Sequence, residues 1–211
     1  MMRFISSFLI SGLIAISSIA AAAPQVDFVK KGVTVWKVGV PNSNVVGFKA
    51  QTIINHPINR VAMALADTDN SDEWLPRIGK ITTLHTDEEA NLVDLHMVID
   101  LPFPLNDREL YITSQAKRDA KGNLWISNDL MKNPPRANPD RVQITEYKGG
   151  WKLEQVGPNK TRVTLTGHAD PAGAIPTFIS NLFATQQPYE MMINLQKQSD
   201  KARYKDGEVT F

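Results

Sequence analysis

Residues 161–198 read TRVTLTGHADPAGAIPTFISNLFATQQPYEMMINLQKQ, a strand-like run that passes through a turn at 171–174 into a helical pattern. Two apolar stripes follow the turn. The first comprises Ile175, Phe178, Ile179, Leu182 and Phe183, and the second comprises Pro188, Met191, Met192 and Leu195. At about 100° per residue the stripes lie roughly 160° out of phase, so one straight helix cannot bury both against a flat surface. The pattern predicts a terminal helix that is either kinked at Pro188 or covered on two sides. Such a helix is expected to act as a lid over an apolar interior.

Upstream of this stretch, strand-like runs alternate with short turn-like separators. Residues 24–32 are expected to be a loose lead-in, followed by strands at 34–40 and 45–54 and a helix at 57–66 capped by Asn55. Seven further strands are predicted at 77–87, 90–100, 108–118, 123–130, 141–147, 151–156 and 161–170, with Gly149 and Gly150 among the separators. The short connections indicate antiparallel neighbours. The expected class is α+β: one antiparallel meander closed by the terminal helix.

Residues 1–22 have the pattern of an export signal. Arg3 supplies the positive charge, 4–19 the apolar run and the alanines at 20–22 a cleavage site. A retained membrane anchor is the alternative, but the apolar run is short and interrupted by serines. We expect cleavage before Ala23 and a periplasmic or secreted protein with a single domain at 23–211.

Composition excludes several function classes. The chain has no cysteine, so an exported domain must be held together by its core alone. Its 23 Lys and Arg balance 22 Asp and Glu once Arg3 is removed, which argues against a nucleic-acid partner. No GxSxG motif is present, and the four histidines lack the spacing of metal ligands. Residues 67–78 begin like a calcium loop but lack its glycine and final glutamate. We expect neither metal nor cofactor.

Alternation within the strands assigns inner faces whose side chains become smaller along the strand. These inner residues are Leu110, Ile112, Ser114 and Ala116 in one strand and Val163, Leu165, Gly167 and Ala169 in another. A helix over such small side chains either packs closely or leaves a cavity between helix and sheet. Periodicity alone leaves both arrangements open.

Three segments, in order, carry a family resemblance. They are FKAQTIINHPINRVAMALADTDNSDEWLP (48–76), DLPFPLNDRELYI (100–112) and HADPAGAIPTFISNLFATQQPYEMMINLQKQ (168–198). Together they resemble START (steroidogenic acute regulatory protein-related lipid transfer) domains over roughly 34–201. The resemblance implies a helix-grip fold, in which a curved antiparallel sheet wraps around a long C-terminal helix with an apolar tunnel between them. It also implies binding and transfer of one lipid or other hydrophobic molecule, usually without chemistry.

The chain departs from the sterol-handling members of this family at two inner positions. The residue six beyond Arg108 is Ser114, where those members tend to carry a charge. The strand expected to face it supplies Val93, Leu95, Met97 and Ile99, without the matching carboxylate. The interior is therefore expected to be greasier, which puts sterol in doubt as the cargo.

The predicted ligand contacts are Met63, Trp74, Leu95, Met97, Phe103, Arg108, Leu110, Ile112, Ser114, Phe178, Leu182 and Met192. Arg108 either binds a headgroup or carboxylate at the tunnel mouth, or pairs with neighbouring acids to pin the proline-rich turn. Trp74 either caps the tunnel or anchors the helical insert. Phe103 is expected to face the terminal helix and form a gate with Phe178 and Leu182, opening transiently at a membrane surface.

Two other functions stay open at the level of sequence. One is an enzyme of the wider helix-grip superfamily, such as a cyclase or hydratase, with Glu146, Tyr147 and Arg108 as candidate acid or base groups. At least two of these groups would have to converge on a pocket. The other is an interaction module whose cavity has collapsed.

Overall fold

One antiparallel sheet forms most of the molecule. The computed structural model describes residues 24–41, 46–173, 175–176, 179–180 and 182–205. The predicted signal segment 1–22 and Phe178 lie outside these residues. The strands are β1 (Gln25–Lys30), β2 (Val33–Gly39), β3 (Val46–Ile54), β4 (Ile78–Asp87), β5 (Leu92–Ile99), β6 (Arg108–Arg118), β7 (Leu124–Leu130), β8 (Val142–Gln143), β9 (Glu146–Gly157) and β10 (Lys160–Asp170). The helices are α1 (Ile58–Ala66) and α2 (Gln187–Ser199), with 3-10 turns at Ser71–Glu73 and Ala202–Tyr204.

The strand order shows how the chain closes this sheet. Nine strands follow the order β1-β2-β3-β10-β9-β7-β6-β5-β4, and the short β8 pairs in parallel with the start of β6. The last strand, β10, therefore lies between β3 and β9 and joins the N-terminal strands to the meander. Helix α2 packs against β2, β3 and α1. The helix thus packs on the part of the sheet that contains β2 and β3. Strands β4 to β7 form the part opposite the helix.

A π-helical turn allows residues of both apolar stripes of the terminal segment to be buried. Residues Leu182–Gln186 are π-helical, and α2 follows with Pro188 in its first turn. Proline is tolerated there because the π-helical turn before it already departs from the i→i−4 hydrogen-bond pattern that a proline would interrupt. The wider turn re-aims the side chains that follow it. Ile179 before the turn and Met192 and Leu195 after it are all fully buried.

Polar side chains along one stripe of α2 fasten it to the segment that leads into β4. Gln187 Nε2 donates to the Pro76 carbonyl at 3.1 Å, and Asn194 Nδ2 donates to the Trp74 carbonyl at 2.9 Å. Between them, Glu190 forms an ion pair with Arg77 at 3.0 Å. Positions 187, 190 and 194 share one helix face. The helix is therefore held on this side by hydrogen bonds.

Three details of the predicted secondary structure are wrong. Residues 24–32 are largely strand β1, which pairs with β2. The predicted strands 141–147 and 151–156 are instead the short β8 and one 12-residue strand, β9, that runs through Gly149 and Gly150. A Cβ on Gly150 would lie 2.5 Å from the Ile126 carbonyl oxygen, so this glycine permits close approach of a neighbouring strand rather than a turn. Helix α1 has Pro57, not Asn55, at its N-cap.

The end of α1 is anchored to the C-terminal segment. Asp67, the C-cap of α1, accepts hydrogen bonds from the Asn70 amide at 2.9 Å and the Tyr204 hydroxyl at 2.7 Å. These bonds lower the pKa of Asp67 against the opposing effect of burial, which is the largest single influence. Residues 67–77 are thus the end of α1, a 3-10 turn and the loop that leads into β4. No helix in the described part of the chain is long and apolar enough to cross a membrane.

Replacing Leu195 with Ala tests the contribution of α2 to the core. Leu195 is fully buried, so Leu195→Ala is expected to lower the free energy of unfolding by about 2–5 kcal/mol through lost burial and a residual cavity. Urea unfolding followed by circular dichroism measures this change. Lys197→Ala, two residues away on the exposed face, is the control and should change stability by less than about 0.5 kcal/mol. Equal effects of the two variants would contradict the assignment.

Candidate functional site

A cavity of about 1320 Å³ lies between the sheet and the terminal helical segment. On the sheet side, apolar side chains of β4, β5 and β6 form much of its wall; among them are Ile78, Ile81, Leu95, Met97, Leu110 and Ile112. On the helical side, the lining includes Phe183 and Ala184 from the π-helical turn and Pro188 and Met191 from α2. The sequence left open whether the helix packs closely on the sheet or leaves a cavity. The structure has the cavity.

The cavity follows a row of small side chains that crosses four strands. The register places Ser114 opposite Asn128, Asn128 opposite Gly149, and Gly149 opposite Gly167. The positions at which the inner side chains of β6 and β10 become small thus lie in one row across the sheet. The short side chains at this level leave room above the sheet, and the cavity takes that room beside Ser114 and Asn128.

Aromatic side chains occupy the edges of this space. A Cβ on Gly149 would lie 2.5 Å from the Tyr147 hydroxyl, and a Cβ on Gly167 would lie 3.0 Å from the Phe48 ring. Both rings line the cavity, and they occupy room that the two glycines leave open. At one end, Trp74 contacts Trp151 with ring centroids 6.3 Å apart. Trp74 both lines the cavity and is buried in the core, so it serves as anchor and wall together.

Seven of the predicted ligand contacts line this cavity. They are Trp74, Leu95, Met97, Arg108, Leu110, Ile112 and Ser114. The inner face predicted for β5, with Val93, Leu95, Met97 and Ile99, is also part of the wall. The structure brings these residues together, and their contact with a ligand stays a prediction.

Four other predicted contacts lie elsewhere. Phe103 is 97% exposed, so the prediction that it faces the terminal helix is wrong. Leu182 lines a smaller pocket together with Pro102 and Ile179. Met63 and Met192 do not line the cavity, because Met192 is fully buried in the core and Met63 packs against it. The same apolar periodicity marks core and cavity, which is why the sequence could not separate them.

Arg108 is a buried charge in the cavity wall. It is 4% exposed, and its guanidinium donates to the carbonyls of Pro171 at 2.8 Å, of Ala172 at 3.0 Å and of Asn106. No carboxylate in the described part of the chain forms an ion pair with it, so the predicted acidic partner is wrong. Burial lowers the pKa of Arg108, but a guanidinium still keeps its charge at physiological pH. Arg108 therefore fastens the 171–173 turn to β6 and adds a positive charge to the wall.

A hydrogen-bonded polar cluster interrupts the apolar wall. Ser114 Oγ donates to Asn128 Oδ1 at 2.8 Å, and the Tyr147 hydroxyl lies beside Asn128. Burial raises the pKa of Tyr147 to about 12, although the interaction with Asn128 opposes the shift. The sequence prediction missed Asn128. The signal was present, since Asn128 lies between Ile126 and Leu130 on the inner face of β7.

A second polar cluster lies on the other face of the sheet, around the fully buried Glu109. Its carboxylate accepts from the Asn138 backbone N–H at 2.8 Å and lies 3.2 Å from His96 Nε2. His96 stacks on Tyr111 with centroids 4.5 Å apart. This cluster holds the segment before β8 against the sheet and takes no part in the cavity.

Comparison with known proteins identifies the architecture. No protein-family profile matches the chain. An uncharacterized protein of Pseudomonas aeruginosa is 24% identical over 172 residues, which covers 81% of this chain and 83% of the relative. The STAR-related lipid transfer protein of Xanthomonas axonopodis superposes with a TM-score of 0.76 at 18% identity, covering 84% of this chain and 99% of that one.

The chain has the START fold. Human StAR-related lipid transfer protein 5 gives the same TM-score of 0.76 at 16% identity, with 90% of each chain covered. The Zhui aromatase/cyclase of Streptomyces sp. R1128 gives 0.53 at 14% identity, covering 79% of this chain and 100% of that one. The predicted helix-grip fold, with its curved sheet and long C-terminal helix, is confirmed.

The pKa of Tyr147 predicts a pH dependence of stability. Because the folded protein holds this proton more tightly than the unfolded chain, unfolding releases it between about pH 10 and about pH 12, and stability falls across that window. Tyr147→Phe removes this component, so its stability should fall less steeply there. Urea unfolding at a series of pH values measures both slopes. Parallel slopes would show that the pKa of Tyr147 is not raised.

Proposed function

We propose that this protein binds a lipid or another hydrophobic ligand in the cavity and transfers it between membranes. The observation that carries the proposal is the size and apolar lining of the cavity, about 1320 Å³. An engineered apolar cavity of about 150 Å³ already binds benzene. Withdrawing an acyl chain from water contributes about 0.8 kcal/mol per methylene, which gives such a cavity its affinity. The START-fold neighbours named as lipid transfer proteins support this function.

Loading and release require an opening, and the Pro102–Pro104 turn is the best-placed element for it. Pro102 lines the smaller pocket with Ile179 and Leu182, so the turn adjoins the segment that closes the cavity. Phe103 projects from this turn with 97% of its surface exposed. An exposed aromatic ring of this kind inserts readily into a membrane interface. We infer a transient membrane contact through Phe103.

The place of action that fits the sequence is outside the cytoplasm. The pattern at 1–22 supports export, and the absence of cysteine suits a domain that does not depend on redox conditions. A periplasmic or secreted carrier would move lipid without an energy source of its own. Cell fractionation and mass determination of the mature N-terminus test this proposal.

Filling part of the cavity is expected to weaken loading. Leu95 faces the cavity from β5, so Leu95→Trp should reduce the bound lipid at least about fivefold, because overpacking costs about 1–3 kcal/mol. Native mass spectrometry after incubation with phosphatidylcholine vesicles measures the occupancy. The control is Leu84→Trp on β4, where the side chain is 40% exposed and does not line the cavity. Equal occupancy in the two variants would count against the cavity as the binding site.

Removing the exposed aromatic ring is expected to slow transfer without changing occupancy. Burial of one Phe side chain contributes about 1.5–3 kcal/mol, so Phe103→Ser should lower membrane affinity and transfer rate about tenfold. Transfer of pyrene-labelled phosphatidylcholine between vesicles measures the rate. Val156→Ser, at an exposed apolar site on β9, is the control and should transfer normally. Identical rates for the two variants would refute the membrane contact.

An enzyme acting on a hydrophobic substrate is the second candidate function. Two of the three predicted acid or base groups, Arg108 and Tyr147, line the same cavity, which favours this alternative. The resemblance to the Zhui aromatase/cyclase adds to it. Mass spectrometry of the ligand before and after incubation separates the functions. A carrier returns its ligand unchanged, whereas a cyclase or hydratase returns a ligand of altered mass.

A further inference from the structure

Strand β1 lies at one edge of the sheet, and its outer edge has no neighbouring strand in the described part of the chain. The strand order begins at β1, which pairs with β2. An open strand edge presents unpaired N–H and C=O groups to which another chain can hydrogen-bond. Two apolar side chains of β1 are also strongly exposed, Val26 at 52% and Val29 at 67%. The edge of β1 is therefore a candidate interaction surface.

A bulge at Asp27 changes the alternation of side chains along β1. The register with β2 shifts at this position, so Asp27 is the extra residue of the strand. Its carboxylate forms an ion pair with Lys37 at 2.8 Å. Lys37 lies opposite Phe48, which lines the cavity. Asp27 thus points to the face of the sheet that carries α2, the helix side.

The other side chains of β1 divide between the two faces. Phe28 packs edge-on against Tyr189 of α2 with ring centroids 5.6 Å apart. Lys30 Nζ lies 5.4 Å from the centre of the same ring, so both residues are on the helix side. Val26 and Val29 point to the outer face. From residue 25 to residue 30 the order is helix side, outer, helix side, helix side, outer, helix side.

This order is the same when the strand is read in either direction. A regular strand alternates strictly, so its faces cannot match those of β1 on both sides of the bulge. A second copy of β1, running antiparallel, brings an identical bulge to the same level. Every residue then faces the same side of the sheet as the residue opposite it. The partner that fits this edge is another copy of the chain.

The backbone groups on the open edge belong to the same two valines. Lys31 and Gly32, with φ of 48° and 75°, form the two-residue turn between β1 and β2. Residues that flank such a turn exchange both of their hydrogen bonds, so Lys30 bonds to β2 and Val29 directs its N–H and C=O outward. Val26, on the other side of the bulge, has the same orientation as Val29. The two valines can therefore hydrogen-bond to a second copy.

We propose that two copies of this chain associate through antiparallel pairing of their β1 strands, with Val26 of each copy opposite Val29 of the other. The two-fold axis passes between Asp27 and Phe28. Each valine pair exchanges two backbone hydrogen bonds, and the four valines form one apolar cluster on the outer face. The proposal does not depend on which ligand the cavity holds.

The charges along β1 are compatible with this register. Lys30 lies opposite the uncharged Gln25 of the second copy and diagonal to its Asp27, and symmetry repeats both contacts. Cross-strand neighbours of opposite charge are stabilising. The two Asp27 residues also approach each other across the axis, but each carboxylate is turned toward Lys37 of its own chain.

The size of the seam indicates a reversible dimer. Each copy contributes a strand of six residues. Interfaces that bury less than about 1,200 Å² in total are typical of weak, transient complexes. We therefore expect monomer and dimer to be in equilibrium, with dimer present between about 10 µM and about 1 mM.

Cysteine cross-linking tests the register, because the chain has no cysteine of its own. In the double variant Val26→Cys with Val29→Cys, the two thiols face each other across the seam at the Cα separation of about 5.5 Å that suits a disulfide. Within one chain, positions 26 and 29 are roughly 9–10 Å apart, which is too far. Oxidation of the chain from Ala23 onward should give a disulfide-linked dimer on a non-reducing gel.

The single variants Val26→Cys and Val29→Cys are the matched controls. In the proposed register neither position faces itself, since the two copies of either residue are roughly 10 Å apart. Random collisions of exposed thiols cross-link all three variants alike. We expect the double variant to cross-link at least about tenfold faster than either single variant.

Sedimentation velocity over the same concentration range tests the association itself. Val29→Lys puts a charge into the valine cluster and should weaken dimerisation at least about tenfold. Because Val29 is 67% exposed, the fold should be retained, which circular dichroism checks. The control is Val156→Lys on β9, at a site 41% exposed and outside the seam, which should associate like the wild type.

Three outcomes would overturn the proposal. One is a wild type that stays monomeric at about 1 mM. Another is a single-cysteine variant that cross-links as fast as the double variant, which would mean a different register or random collision. The third is equal association of Val29→Lys and Val156→Lys, which would place the contact away from β1.

Discussion

The arrangement depends on one steric constraint, the row of short side chains formed by Ser114, Asn128, Gly149 and Gly167. The terminal helix takes its main support from other parts of the molecule. It packs on β2, β3 and α1, where fully buried apolar residues such as Val35, Ala50 and Val61 supply the contacts. The protein therefore combines a conventional core on one side of the helix with a cavity on the other.

Polar bonds compensate for the missing contacts around the cavity. The stripe Gln187, Glu190 and Asn194 ties α2 to the segment before β4, and Arg108 ties the 171–173 turn to β6. Such bonds stabilise a helix without filling the space beneath it. A neutral hydrogen bond contributes about 0.5–1.5 kcal/mol net, and a bond to a charged group about 1.5–3 kcal/mol. A closure held by several modest bonds can open locally without unfolding the core.

Much of the fold, and part of the site, could be predicted from the sequence. Periodicity predicted the strands from β4 to β7 and the inner faces of β5 and β6, because successive side chains of a strand point to opposite faces of the sheet. Gly149 and Gly150 misled the prediction, since glycine marks turns and close strand approaches alike. Met192 was mistaken for a ligand contact because core and cavity walls use the same side chains. Asn128 was overlooked because its meaning depends on Ser114 and Tyr147, which only the register brings beside it.

The insertion of β10 between β3 and β9 has a consequence for biogenesis. Ile54 of β3 pairs with Thr161 of β10, so β3 gains this neighbouring strand only after more than a hundred further residues have been synthesised. Until that strand arrives, β3 has an open edge that other chains can join. Long-range pairing of this kind also folds slowly. Newly synthesised chains should therefore depend on molecular chaperones. A chain truncated before β10 should aggregate rather than form a smaller domain.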